Sequence, residues 1–190
     1  MDGSEFLQSA IKQFEYYKQL GDRAFAQLGD ELLFRRFDEE ANSIAILVGH
    51  LVGNMLSRWT DFLESDGEKP WRQRDQEFEH LYRDRAEMLQ SWETGWNCLL
   101  STLRSLKPED LERIVPIRNQ GHSVLEAIQR QLAHYPYHVG QIVLLGRMFA
   151  GPDWASLSIP KGRSEAFNAD HFAKPLRREH FTDALIRKSE

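Results

Sequence analysis

Two histidines, His134 and His138, stand four residues apart in "QLAHYPYHVGQIVLLG" (131–146). Side chains at that spacing share one face of a helix, with Cβ atoms about 5–6 Å apart. Two imidazoles so placed can hold one metal ion. The motif is HxxxH, and Tyr135, Pro136 and Tyr137 fill the gap. The glutamate base of zincin proteases is therefore missing, and that mechanism is not supported. The same spacing also fits two partly exposed histidines beside a kink. Pro136 withholds a hydrogen bond from the Leu132 carbonyl. That predicts a kink or π-bulge able to turn the rings inward from the flank of the apolar stripe.

A third donor lies far upstream. In "GHLVGNMLSRW" His50 falls opposite the main apolar stripe of its helix, among Ile46, Gly49, Gly53, Asn54 and Ser57, with Arg58 toward the edge. A glycine inside a helix costs up to about 1 kcal/mol against alanine. Two of them flanking a histidine imply that something approaches the backbone closely. This face reads as a cleft wall rather than open surface. Three histidines from two helices would leave coordination positions open, as catalytic metal sites do and structural zinc sites do not. An all-nitrogen set suits Zn, Ni, Fe or Cu rather than Mg or Ca. Asn54, Arg58 and Gln141 are the candidates for orienting ligands or substrate.

Four long helical patterns must position these residues. Apolar stripes at helix spacing run from about Ser4 to Leu28, Asn42 to Glu64, Asp75 to the residues before Pro108, and Ser123 to Ala150. The last opens on the capping box "SVLE", Ser123 with Glu126. "RIVPI" between the third and fourth patterns reads as extended. The expected fold is all-α: a four-helix bundle over residues 1–150 and a mostly irregular C-terminal extension over 151–190. That extension packs on the bundle or on a partner subunit, and "FTDALIRKSE" forms a short helix at its end.

Composition narrows the function. With 41% hydrophobic residues the chain has an ordinary globular content, and its apolar runs are far short of a membrane span. The start is acidic and lacks a signal-peptide pattern, and one cysteine, Cys98, excludes an internal disulfide framework. A cytoplasmic location follows as the expectation. A net charge of -5 without a long basic run argues against nucleic acid as the main partner. No Ser-His-Asp set and no phosphate-cradling glycine loop is present.

Taken together, "GHLVGNMLSRW" and the distant "HYPYHVGQI" resemble the DinB/YfiT-like metal-binding four-helix bundles. Their pattern is a histidine in the second helix and HxxxHxGQI in the fourth. The resemblance spans roughly residues 4 to 168. It looks closest to a bacterial branch carrying stretches like "NMLSRWTDFLESDGEKPWRQRDQEF" and "LSIPKGRSEAFN". It implies a homodimer with one divalent metal per subunit, held here by His50, His134 and His138. It also implies use of a low-molecular-weight thiol, since relatives include thiol-dependent S-transferases and an isomerase. Pro136 departs from the small or polar residue expected between the ligands. The expected function is a metal-dependent thiol S-transferase or hydrolase acting on a small electrophile; a non-catalytic metal-binding or dimeric interaction protein is the alternative.

Overall fold

Asp2, Ser43, Asp84 and Ser123 mark where the chain turns into long helices: each side chain accepts a hydrogen bond from the amide three residues on. Such caps satisfy amides that have no intrahelical partner and contribute typically about 1 kcal/mol each. A computed structural model describes residues 2–183. It runs through α1 (Gly3–Phe25), α2 (Asp30–Phe34), α3 (Ile44–Trp59), α4 (Arg85–Ser105), the strands β1 (Ile114–Ile117) and β2 (Gln120–Ser123), α5 (Val124–Ala150) and α6 (Ser164–Phe172). The protein is predominantly helical, as the periodicity predicts. The Ser123–Glu126 capping box closes in both directions.

The four long helices pack in a ring: α1 against α4 and α5, α3 against α4 and α5. Their apolar stripes meet in one core that includes Phe14, Trp59, Trp92, Trp96 and Tyr135, all essentially buried. Phe14 packs edge-on with Trp59 and tilted against Tyr135, at centroid distances of 6.5 and 5.8 Å. The Tyr135 hydroxyl accepts from Trp59 Nε1 at 2.9 Å and donates to Asn54 Oδ1 at 3.0 Å. This short relay satisfies three buried polar groups and ties α5 to α3.

Several boundaries differ from the sequence expectation. The second long helix stops at Trp59, not Glu64, because Thr60 is extended and Asp61 is left-handed at φ 47°. The third begins at Arg85, not near Asp75. Asp84 caps it there, and the residues before it form a 3-10 turn, Arg74–Phe78, laid against α3. Phe78 and Leu81 thus leave the stripe in which their spacing places them. The first helix ends at Phe25, and the short α2 that follows has no sequence counterpart among the expected elements. "RIVPI" is extended as expected, and pairs antiparallel with β2, Ile114 opposite Ser123.

Pro136 lies inside α5, which stays α-helical through it with no π turn. The expected π-bulge is absent. Its neighbour Tyr135 is fully buried and held through its hydroxyl, which anchors the turn that lacks a hydrogen bond. Beyond α5 the chain lies back along α1: Arg23 donates to the Leu157 carbonyl, Gln27 to that of Ala155, and Lys12 pairs with Asp183 at 2.7 Å. The tail is irregular apart from α6 and short turns, and the helix expected over "FTDALIRKSE" lies mostly outside the described residues.

The relay makes a direct test of the α3–α5 tie. Tyr135→Phe leaves the buried Trp59 N–H without its acceptor, and an orphaned buried donor costs about 1–3 kcal/mol. Urea denaturation is expected to show a loss of that size with unchanged helical circular dichroism. An unaltered midpoint would mean the relay contributes nothing.

Candidate metal centre

α3 is buried on nearly every side, His50 included, at 5% exposure. The face opposite its main stripe is covered by the Arg74–Phe78 turn and the chain just after it. The glycines make this possible. A Cβ on Gly49 would stand 2.7 Å from Leu81 Cδ1, and one on Gly53 would stand 2.6 Å from Glu77 Cδ. The close approach implied by the sequence is therefore real, and it is made by the protein's own turn. Phe78 stacks on His50 with centroids 5.0 Å apart and planes at 26°.

His50 meets His134 and His138 across the gap between α3 and α5. Ring centroids lie 5.5 Å and 4.8 Å from His50, and 4.8 Å between the α5 pair. Potential ligand atoms of the three rings all lie within 4.8 Å of one another. Two nitrogens bound to one zinc at about 2.1 Å stand at most about 4.2 Å apart, so small side-chain rotations would bring the set onto one ion. One ring is buried and two are half-buried.

One nitrogen of each ring is already engaged. His50 Nδ1 meets Glu77 Oε2 at 2.9 Å, His134 Nδ1 meets Gln131 Oε1 at 3.1 Å, and His138 Nδ1 meets Gln141 Oε1 at 2.9 Å. All three partners are acceptors, so each Nδ1 must donate. A neutral ring that donates from Nδ1 keeps its lone pair on Nε2. The surroundings thus select, three times over, the tautomer that metal coordination through Nε2 requires. Glu77 is held in turn by Arg72, whose Nε and Nη2 reach its two oxygens at 2.7 and 2.9 Å.

Electrostatics favour the neutral form of the two α5 rings. Burial first, then the neighbouring His138 and His50, push His134 down to about 3. Burial also lowers His138, against the pull of its bond to Gln141. For Glu77 burial acts upward, but hydrogen bonds from His50 and Arg72 and the Arg72 charge outweigh it and hold the carboxyl below its ordinary value. The two α5 rings are thus held uncharged, and the carboxylate behind His50 is held charged.

The triad opens on a cleft of about 320 Å³ that Asn54 and Arg58 also line. Asn54 is committed through Oδ1 to Tyr135, and Arg58 donates to the Gly67 carbonyl and to Glu68. Gln141 orients His138. Sequence reasoning missed Gln131, Glu77 and Arg72. Gln131 had a signal: it precedes His134 by the same three residues by which Gln141 follows His138. Glu77 had none beyond the glycines that admit it. The remaining histidines, His80, His122, His171 and His180, take no part in this cluster. Cys98 is half-buried beside Thr60 and outside the cleft.

Residues 2–163 match a family described as "Protein of unknown function (DUF1572)". No curated protein and no solved structure matches the chain.

Depressed histidines give the metal-free protein a defined pH response. The unfolded chain takes up protons as pH falls through about 6.5, while folded His134 resists them until about 3. Stability is therefore full above about 6.5 and lost progressively as pH falls from there toward 3. Thermal melts of metal-free protein from about pH 7.5 to 4.5 should show a falling Tm, with a shallower slope in His134→Gln. Equal slopes would mean His134 is not held neutral by its site.

Proposed function

The chain belongs to the DUF1572 family, whose description assigns no activity, and we propose from its own residues a metal-dependent enzyme of the thiol S-transferase or hydrolase type, acting on a small electrophilic substrate. The observation that carries this reading is the convergence of three histidines, each obliged by its Nδ1 partner to offer Nε2. His50, His134 and His138 would hold one divalent transition metal, Zn, Ni or Fe, which suit such a nitrogen set. Three protein donors leave a position for an exogenous ligand. When bound, the metal lowers the pKa of a coordinated thiol or water and so supplies a nucleophile at neutral pH.

The protein's residues do the rest. Glu77, Gln131 and Gln141 fix ring orientation and tautomer. Phe78 lies flat on His50 and keeps water from that face. Among the described residues neither a carboxylate nor a thiol lines the cleft. The nucleophile must therefore come from a co-substrate or from solvent, which favours a low-molecular-weight thiol or water over a covalent protein intermediate. The ring of long helices, with donors on the second and fourth of them, supports the DinB/YfiT-like four-helix bundle as the fold to which this site belongs.

Untagged protein reconstituted with zinc, nickel or iron should retain about one ion per chain by elemental analysis, and His50→Ala and His134→Ala should retain little. Glu77→Gln keeps an acceptor for His50 but removes the charge; metal affinity is expected to fall about 10–100-fold. Metal-loaded protein assayed with a panel of thiols and monochlorobimane should form the fluorescent thioether, and His134→Ala should not. Absence of stoichiometric metal in every reconstitution sinks the reading. Metal without turnover of any electrophile or ester would leave a binding protein.

A further inference from the structure

The cleft beside the histidines is lined by five arginines, Arg58, Arg72, Arg74, Arg118 and Arg130, in a chain whose net charge is -5. Two carboxylates stand behind this wall. Glu77 is taken by Arg72. Glu68 serves three guanidiniums through a single oxygen: Oε2 receives Arg58 at 3.2 Å, Arg72 at 3.4 Å and Arg118 at 3.1 Å. Five positive charges stand against Glu68 and Glu77 in the wall and Asp66 and Asp75 at its edge, an excess of one. The Arg74–Asp75 pair is long, at 3.9 Å, and solvent screens it, so Arg74 stays available to a ligand anion. Arg130 forms no ion pair among the described residues. Arg74 lies over the Phe78 ring at 5.3 Å, and that ring stacks on His50.

The spacing of these residues orders the cleft. On α5, Arg130, His134 and His138 follow one another at four-residue intervals, and on α3 so do His50, Asn54 and Arg58. Each series therefore runs along one helix face at about 6 Å per step. Arg58 stands about 12 Å along the axis from His50, and Arg130 about 6 Å from His134. Arg58 and Arg118 meet on Glu68. Arg130 and Arg58 lie beyond the histidines along their helices, whereas Arg74 stands on the histidine side, over Phe78. Guanidiniums that outnumber the carboxylates around a cleft with low-dielectric walls concentrate a positive field. Their planar donor forks match carboxylate and phosphate oxygens. The cleft volume suits a small molecule, and the acidic remainder of the chain disfavours a long polyanion.

We propose that this cleft recognises a small substrate or co-substrate bearing an oxyanion, a carboxylate or a phosphate, which Arg130 and Arg74 hold while the reacting group faces the histidines. The position of the reacting group rests on the metal-dependent reading above; the anion subsite does not. The ligand is then short, since Arg130 stands only about 6 Å along α5 from His134.

Two measurements separate these parts. Metal-free full-length protein is titrated calorimetrically, at low salt, with succinate and separately with inorganic phosphate. Binding of one or both is expected, weakened at least tenfold in Arg74→Gln/Arg130→Gln, and the stronger ligand identifies the anion. Both arginines are exposed and hold neither Glu68 nor Glu77, so circular dichroism should be unchanged in the variant. In the second measurement, cobalt-loaded protein is titrated with 3-mercaptopropionate and with 2-mercaptoethanol, and the thiolate-to-cobalt absorption is followed. The carboxylate-bearing thiol should bind at least tenfold tighter, and the double variant should lose that advantage while keeping its affinity for 2-mercaptoethanol. If cobalt fails to bind but anions still bind through the arginines, the metal reading falls and the anion subsite stands. Anions that do not bind wild-type protein, or bind the double variant equally well, overturn the proposal, as do equal affinities for the two thiols.

Discussion

A buried carboxylate is tolerated only where its charge is matched, and Glu77 is matched on both sides. Arg72 grips it through two nitrogens and His50 donates from Nδ1. Much else follows from seating this one side chain. Glu77 can reach His50 only if the chain from Arg74 to Phe78 lies directly on α3, which requires that Gly49 and Gly53 carry no Cβ. Once seated, the turn covers the polar side of α3 and brings Phe78 onto the histidine ring. A helix through these residues would give up the contact, and so α4 waits until Asp84 can cap it.

This explains which parts of the molecule were legible in sequence. Helical content and the capping box at Ser123 follow from local spacing and chemistry, and they are found. The residues from Asp75 to Asp84 misled because Phe78 and Leu81 have helical spacing to Met88 and Trp92, yet their partners lie on α3. Periodicity reports on one helix at a time and cannot register a contact with another. The glycines did carry the tertiary information, as a cost in helix propensity without local compensation. They located the close approach without naming what approaches.

Charge shows the same division between sum and arrangement. A net charge of -5 summarises the whole chain and says nothing of a cleft that five guanidiniums line. Arg58 stood out because it shares a helix face with His50. Arg118 and Arg130 did not, because the hairpin turn and the start of α5 come together with α3 only in the folded chain. The histidine set was accessible for the opposite reason: two members are local to one helix, and the third lies on a helix whose polar face had no other explanation.

The hydrogen-bond relay from Trp59 through Tyr135 to Asn54 sits beside the histidines, and Tyr135 directly follows one of them. Two of the three donors ride on α5 and one on α3, so the opening between them is set by the separation of these two helices. That separation is fixed by packed aromatic rings and a satisfied hydroxyl, not by anything in the cleft. The core therefore works as a gauge block. For the proposed metal, an ion of unsuitable radius would have to prise the helices apart against their own packing, and discrimination among ions would be a property of the hydrophobic interior as much as of the atoms that touch the ion.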